Sequence, residues 1–328
     1  MITIKDVAKH AGVSVTTTSY ALNDKGKISA ATRKRVQESA EELNYHPNAH
    51  ARILKKRKSH TVGVFISDFA GSFYEDILAG IHDAVRKTDY ELIVCPESQK
   101  IRKILVQRQV DGAIIFNWNI TDDILIKLAA TDFPIVVLDR NLKGDYLFPI
   151  LVDNKKGVKE VFYHLYNQGA RRIIFLAGSP DAFDNKERKS AFIAEAKKNG
   201  LSIDVYDGYF LEEYGYQVGL QIIASNHLPD AVFCANDQMA IGFIRAMEEK
   251  KLRAPEDMAV VGFDDILIAR YMQPTLSTVR ASRFQWGASA ASQLIEFLEN
   301  GTPFQRTRIP SQLIVRESSV MKKNLPDT

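Results

Sequence analysis

Polar and aromatic side chains gather just after the short apolar runs of this chain. Asp68 and Phe73 follow the run 61–67, Asp139 closes the run 134–139, Asn236 and Asp237 follow 230–235, and Asp264 and Asp265 follow 258–263. Arg188 comes after the run 172–178, opening a helical segment, and Phe210 precedes another that starts near Glu213. Carboxylates, an amide and a guanidinium beside one or two rings suit a polyhydroxylated ligand. Vicinal hydroxyls pair with forked donors and acceptors, and a sugar's C–H face stacks on a ring. Each residue also has a plainer use: Asp237 could cap the helix 237–250, and Asp265 the segment after it.

Catalytic patterns are missing. The stretch VFISDFAGSF (64–73) holds one glycine, so no G-x-G-x-x-G cradles a pyrophosphate after the first run. Neither G-x-x-x-x-G-K-[ST] nor a G-x-S-x-G nucleophile elbow occurs. His82, His164 and His227 fall on presumed helices or loops away from strand ends, and read as surface or hydrogen-bonded groups. Cys95 and Cys234, the two cysteines, each end an apolar run and read as buried thiols, not a zinc site or a disulfide framework. The expectation is a binding protein with no catalytic residue, metal or cofactor.

Those polar groups need a frame that brings them together. Apolar runs at 61–67, 90–95, 112–116, 134–139, 172–178, 230–235 and 258–263 alternate with segments of helical period at 72–88, 154–168, 185–199, 213–226 and 236–250. Strands buried on both faces and alternating with helices predict parallel, doubly wound sheets. A break between Asp139 and Asp153 divides the alternation into two lobes. Ligands of such sheets bind beyond the carboxyl ends of the strands, where the polar residues above are found.

The first sixty residues are different. They carry twelve Lys/Arg against five Asp/Glu, whereas the rest of the chain carries 31 against 35. A basic module on a neutral-to-acidic body points to phosphate binding. Thr3 and Asp6 have capping-box spacing, Gly12 ends a first helix, Ser14 caps a second and Ser29 a third, ATRKRVQESAEELNY. Three short helices around a small core predict a helix-turn-helix of groove-reading geometry. Pro47 and Asn48 could start a further helix, Asn48 to Lys56, too short to persist alone in water. The expected division is a head at 1–46, a linker at 47–60 and a two-lobed body at 61–328.

IKDVAKHAGVS, TSYALN and ISAATRKRVQESAEELNYHPNAHAR resemble the head of the lactose/galactose repressor (LacI/GalR) family. VDGAIIF, GARRIIFLAG, ANDQMAIG, PEDMAVVGFDD and PTLSTVR extend the likeness along the body. The resemblance implies a periplasmic-binding-protein-like body and a second head helix in the major groove. Val15, Thr16 and Tyr20 would then read bases, while Ser14, Thr17, Ser19 and Asn23 meet phosphates. Many members carry Arg where Tyr20 stands; a phenol cannot grip guanine as a guanidinium does, so the half-site should differ there. Thr18 likewise replaces a more usual Val. The linker helix, with Asn48, would fold in pairs on DNA, with Ala51 at the close approach and Leu54 wedged into the minor groove. In the body, Arg188, Asn236 and Asp264, then Asp139, Phe73 and Phe210, become effector contacts, with Asp68 a weaker candidate.

The segment CPESQKIRKILVQRQVDG is shorter than the family usually has, which trims one edge of the first lobe. By the same resemblance the helix 283–299 returns to the first lobe, and Tyr271 to Thr275 lie at or near a subunit interface. The tail has no leucine heptad, so a homodimer on near-palindromic double-stranded DNA is the expected assembly. No run approaches a membrane span and the N-terminus lacks a signal-peptide pattern, so the expected compartment is the cytoplasm. The leading expectation is a repressor of carbohydrate-utilisation genes under a sugar-like effector. A non-sugar metabolite, a protein corepressor or a free-standing solute receptor are the alternatives.

Overall fold

The computed structural model describes residues 2–23, 26–46, 58–67, 69, 73–96, 101–225 and 227–321. Asn48, Ala51, Leu54 and Asp68 lie outside the described residues. The chain divides into two compact units, Met1–Ser59 and His60–Thr328.

The first unit holds α1 (Ile4–His10), α2 (Val15–Leu22) and α3 (Ala30–Glu42). Asp6 accepts hydrogen bonds from the Thr3 backbone N–H at 2.8 Å and the Thr3 hydroxyl at 2.7 Å, fixing the start of α1. Gly12, at φ +63°, makes the left-handed turn into α2, a conformation open to glycine. Ser14 then caps α2 by accepting the Thr17 N–H at 3.1 Å, and Ser29 caps α3 through the Thr32 N–H at 3.2 Å. Val7, Ala11, Ala21, Val36 and Ala40 form the core. Thr18 is fully buried and satisfies its hydroxyl by donating to the Ser14 carbonyl at 3.0 Å.

In the second unit, the first lobe is a parallel sheet of β1 (Thr61–Ile66), β2 (Glu91–Pro96), β3 (Gly112–Phe116), β4 (Ile135–Val137) and β5 (Leu147–Pro149), in the order β2-β1-β3-β4-β5. Its helices are α4 (Phe73–Val85), α5 (Ile101–Val106) and α6 (Asp122–Leu128). A strand pair, β6 (Leu151–Val152) and β12 (Arg308–Ile309), lies at the crossing to the second lobe. That lobe contains β7 (Ile173–Ala177), β8 (Asp204–Asp207), β9 (Ala231–Cys234), β10 (Ala259–Phe263), β11 (Ser277–Ala281) and β13 (Ser311–Ile314), ordered β13-β11-β10-β9-β7-β8. Around it run α7 (Asn154–Asn167), α8 (Phe183–Lys198), α9 (Glu212–Ala224) and α10 (Asp237–Glu249).

After β11 the chain returns to the first lobe as α11 (Arg283–Asn300), packed on α4. The two backbones approach closely through Gly80 and Gly287, where a Cβ would strike the carbonyls of Phe284 and Ile77. Trp286 anchors this return by donating its indole N–H to the Ile150 carbonyl at 2.6 Å.

Three expectations need correction. The second sheet is not wholly parallel, because the edge strand β13 runs antiparallel to β11. Arg188 sits in the second turn of α8 instead of opening it, since the helix already begins at Phe183. Asp237 does not cap its helix; the cap is Asn236, which accepts the Met239 N–H at 3.0 Å.

Candidate functional site

A cleft of about 580 Å³ opens between the two lobes. Phe73, Asp139, Arg188, Phe210, Asn236 and Asp264 all line it. They arrive from α4, the end of β4, α8, the loop after β8, the α10 cap and the end of β10, so strand ends do converge as a doubly wound frame requires.

On the second-lobe wall Arg188 is almost completely buried. Its Nε donates to Asn154 Oδ1 at 2.8 Å and its Nη1 to the Ala235 carbonyl at 2.5 Å. The guanidinium lies 3.6 Å from the centre of the Phe263 ring and pairs with Asp264 at 3.7 Å. Asp264 has φ +118°, a backbone conformation costly for a non-glycine residue and held by its surroundings. Burial pushes its carboxyl up to about 6, against the pull of Arg188 and Arg283. Burial also raises Asp184, which accepts from Asn154 at 2.7 Å. Behind this wall, burial and then the nearby Asp264 hold Asp237 well above its ordinary value; it accepts from Thr278 at 2.5 Å and the Ile266 N–H at 2.9 Å.

Asn236 does two structural jobs. Besides capping α10, its Nδ2 donates to the Phe210 carbonyl at 2.9 Å. Phe210 is itself at φ +66°, and its ring stands where a side chain on Gly178 would be, so Gly178 is what admits the ring to the cleft. Asp265 turns away into a cluster with Arg316, Arg280 and Arg270, at 2.5, 2.5 and 3.0 Å. Burial opposes its ionisation, yet Arg316 and Arg280 hold it below the usual carboxylate range. It caps nothing; it ties β11 to the C-terminal segment.

The first-lobe wall is built around Asp139 and Arg140. Arg140 grips both carboxylate oxygens, Nε at 2.9 Å and Nη2 at 3.0 Å, while burial raises Asp139 above its ordinary value. Phe73, Tyr74 and Phe116 form a ring cluster with centroids 5.4–5.6 Å apart, and Trp118 projects beside it, 58% exposed. Phe116, Trp118, Arg140 and Asp184 escaped the reading of the sequence. Arg140 and Phe116 had a signal, being the residue after and the last residue of apolar runs; Trp118 and Asp184 had none.

Across these lobes Arg283 donates to Asp76 on α4 at 2.9 Å and to the Asp264 carbonyl, tying the returning helix to both walls. Among the described residues no group of three or more His, Cys, Asp or Glu could hold a metal ion, and no helix is long and apolar enough to cross a membrane. His164 is half-buried and bonded to Ser319 at 2.7 Å, and both cysteines are buried.

On the head, Ser14, Val15, Thr16, Tyr20 and Asn23 are exposed, Thr17 and Ser19 partly so, while Thr18 and Ala21 face the core. Val15 and Tyr20 are 42% and 46% exposed, apolar surface that the head's own packing leaves uncovered. Ser14 and Thr17 hydroxyls bond each other at 2.9 Å, and Asn23 Nδ2 donates to the Ser19 carbonyl at 2.7 Å.

Residues 3–48 match the family model described as bacterial regulatory proteins, lacI family, and residues 162–319 match a periplasmic binding protein-like domain. The HTH-type transcriptional repressor PurR of Pasteurella multocida (strain Pm70) is 33% identical, covering 97% of this chain and 98% of the relative. The crystal structure of the lac repressor dimer bound to operator and the anti-inducer ONPF superposes with TM-score 0.83 at 26% identity, covering 97% of this chain and 99% of the other. A complex of the transcriptional regulator CelR with cellobiose gives TM-score 0.72 at 27% identity, covering 97% and 100%.

Proposed function

The chain belongs to the lacI family of bacterial regulatory proteins, and from that premise we propose that it is a homodimeric repressor of carbohydrate-utilisation genes whose operator affinity is set by a small polyhydroxylated effector in the cleft. The observation that carries this reading is the convergence of Asp139, Arg188, Asp264 and the Phe73 and Phe210 rings on one cavity between two lobes. Forked polar groups beside aromatic faces are the chemistry a sugar requires. The similarity to a regulator crystallised with cellobiose supports the same class.

Val15, Thr16 and Tyr20 read base edges, and Ser14, Thr17, Ser19 and Asn23 fix register on phosphates. Asn48, Ala51 and Leu54 supply the paired linker contacts at the operator centre. Leu267, Ile268 and Tyr271, exposed by 59%, 49% and 72%, are apolar surface suited to a second subunit. Occupancy of the cleft changes lobe orientation, and that change reaches the pairing of the linkers. The protein acts in the cytoplasm and carries out no catalysis.

Titration of the full chain with duplex DNA at several salt concentrations tests the head. Twelve basic residues in the first sixty predict a steep negative slope of log affinity against log salt, steeper than about −4 per dimer. A flat response would remove the DNA reading.

A further inference from the structure

The cleft's hydrogen-bonding groups are unevenly spent. Arg140 has five N–H donors, and five acceptors take them: Asp139 Oδ1 and Oδ2, Asp122 at 2.9 Å, and the carbonyls of Ile120 at 2.9 Å and Asn117 at 2.5 Å. Nothing is left on that guanidinium for a ligand. Arg188 commits Nε and one Nη1 hydrogen to protein acceptors and stacks on Phe263; its other three N–H donors reach no described acceptor, but its charge is already balanced by Asp264 at 3.7 Å. Lys186, at the rim, is 62% exposed and sits 3.9 Å from Asp181.

The carboxylates of the second wall are short of donors. Asp264 lines the cleft with its side chain only 12% exposed, and its carboxylate accepts no hydrogen bond from any described residue. Asp184, half-buried nearby, accepts one, from Asn154. Over the whole lining, carboxylates outnumber cationic groups five to three. A buried carboxylate without donors is costly until something supplies them.

Resting on the polyhydroxylated-effector reading above, we infer that this cleft selects a donor-rich ligand bearing no negative charge, such as a neutral or amino sugar. It excludes sugar phosphates and sugar acids of the same skeleton. Hydroxyl or ammonium hydrogens complete Asp264 and Asp184. A phosphate or carboxylate on the ligand would meet the same two groups as a like charge in a site sheltered from solvent, with no uncommitted guanidinium on the first-lobe wall to receive it. The rings of Phe73, Phe116 and Trp118 add faces that attract a cation and do nothing for an anion.

Calorimetric and thermal-melting titrations of the full chain with matched pairs test this. The pairs are glucose with glucuronate, galactose with galacturonate, ribose with ribose 5-phosphate, and glucosamine with glucose 6-phosphate. In every pair that binds, the neutral or amino member should bind at least tenfold more tightly. Asp264→Asn, checked for folding by its melting curve, should weaken that member and shrink the gap. An anionic member binding as tightly as its partner overturns the charge inference and leaves the polyhydroxylated effector standing. No response to any member overturns both.

Discussion

The two walls of the cleft handle a buried carboxylate in opposite ways. On the first lobe, Asp139 is held by both of its oxygens on Arg140, whose remaining donors are tied to three neighbours. On the second, Asp264 sits on a left-handed backbone with a guanidinium 3.7 Å away and no hydrogen bond to its carboxylate from any described residue. The carboxylate of the first wall is already paired by the protein itself. The carboxylate of the second lacks a hydrogen-bond donor among the described residues, and that wall is joined through the Asp264 carbonyl to Arg283, on the helix that returns to the first lobe. If the proposed effector completes Asp264, the new contacts form on that wall and not around Asp139, and that is where a differential affinity between lobe orientations would arise.

The largest test of the contrast lies on the first wall. Arg140→Met strands Asp139 as a buried charge, and breaking a buried pair costs about 3–5 kcal/mol. The melting temperature at pH 7 should fall by roughly 10 °C. A fall of a degree or two would mean that Asp139 is not dependent on its partner, and the contrast would collapse.

The second wall should respond with the opposite sign. The folded protein holds Asp264 at about 6 against an ordinary 3.8, so folding favours its protonated form. Stability from this group is therefore greatest in acid and is lost as pH climbs from about 4 to above 6. At pH 7 the ionised carboxylate costs about 3 kcal/mol. Without ligand, Asp264→Asn should be more stable than the parent at pH 7 by up to that amount, with the advantage vanishing near pH 4. Denaturant titrations across this range would show it. A variant less stable than the parent at neutral pH would mark Asp264 as a structural residue.

The same asymmetry decides what could be read in the sequence. Ser14, Ser29 and Gly12 do their work within three or four residues of themselves, so the head's caps and turns were legible. The apolar runs gave the inner strands, because strands buried on both faces carry no polar positions. Short or polar strands such as β8, with sequence DVYD, and the antiparallel β13 carry no such pattern and were missed. Asp139, Arg188 and Asp264 were legible as strand-end or near-strand-end polar residues, but their states were not. The lock on Asp139 depends on carbonyls near residues 117 and 120, and Asp237's role depends on Thr278 and Ile266. Capping propensity favoured Asp237; the tertiary demand of two buried donors won, and Asn236 took the cap.

The most direct test of the whole account is the coupling between head and cleft. A duplex is selected by the full chain from a random-sequence pool, and its affinity is measured with and without a saturating concentration of the sugar that most raises the melting temperature. The parent should change its DNA affinity by a factor on the order of 5–150, and the duplex should change sugar affinity by the same factor. Asp264→Ala should bind the duplex as the parent does and show no such change. An equal DNA affinity in the presence and absence of bound sugar, in the parent protein, would contradict control through the cleft.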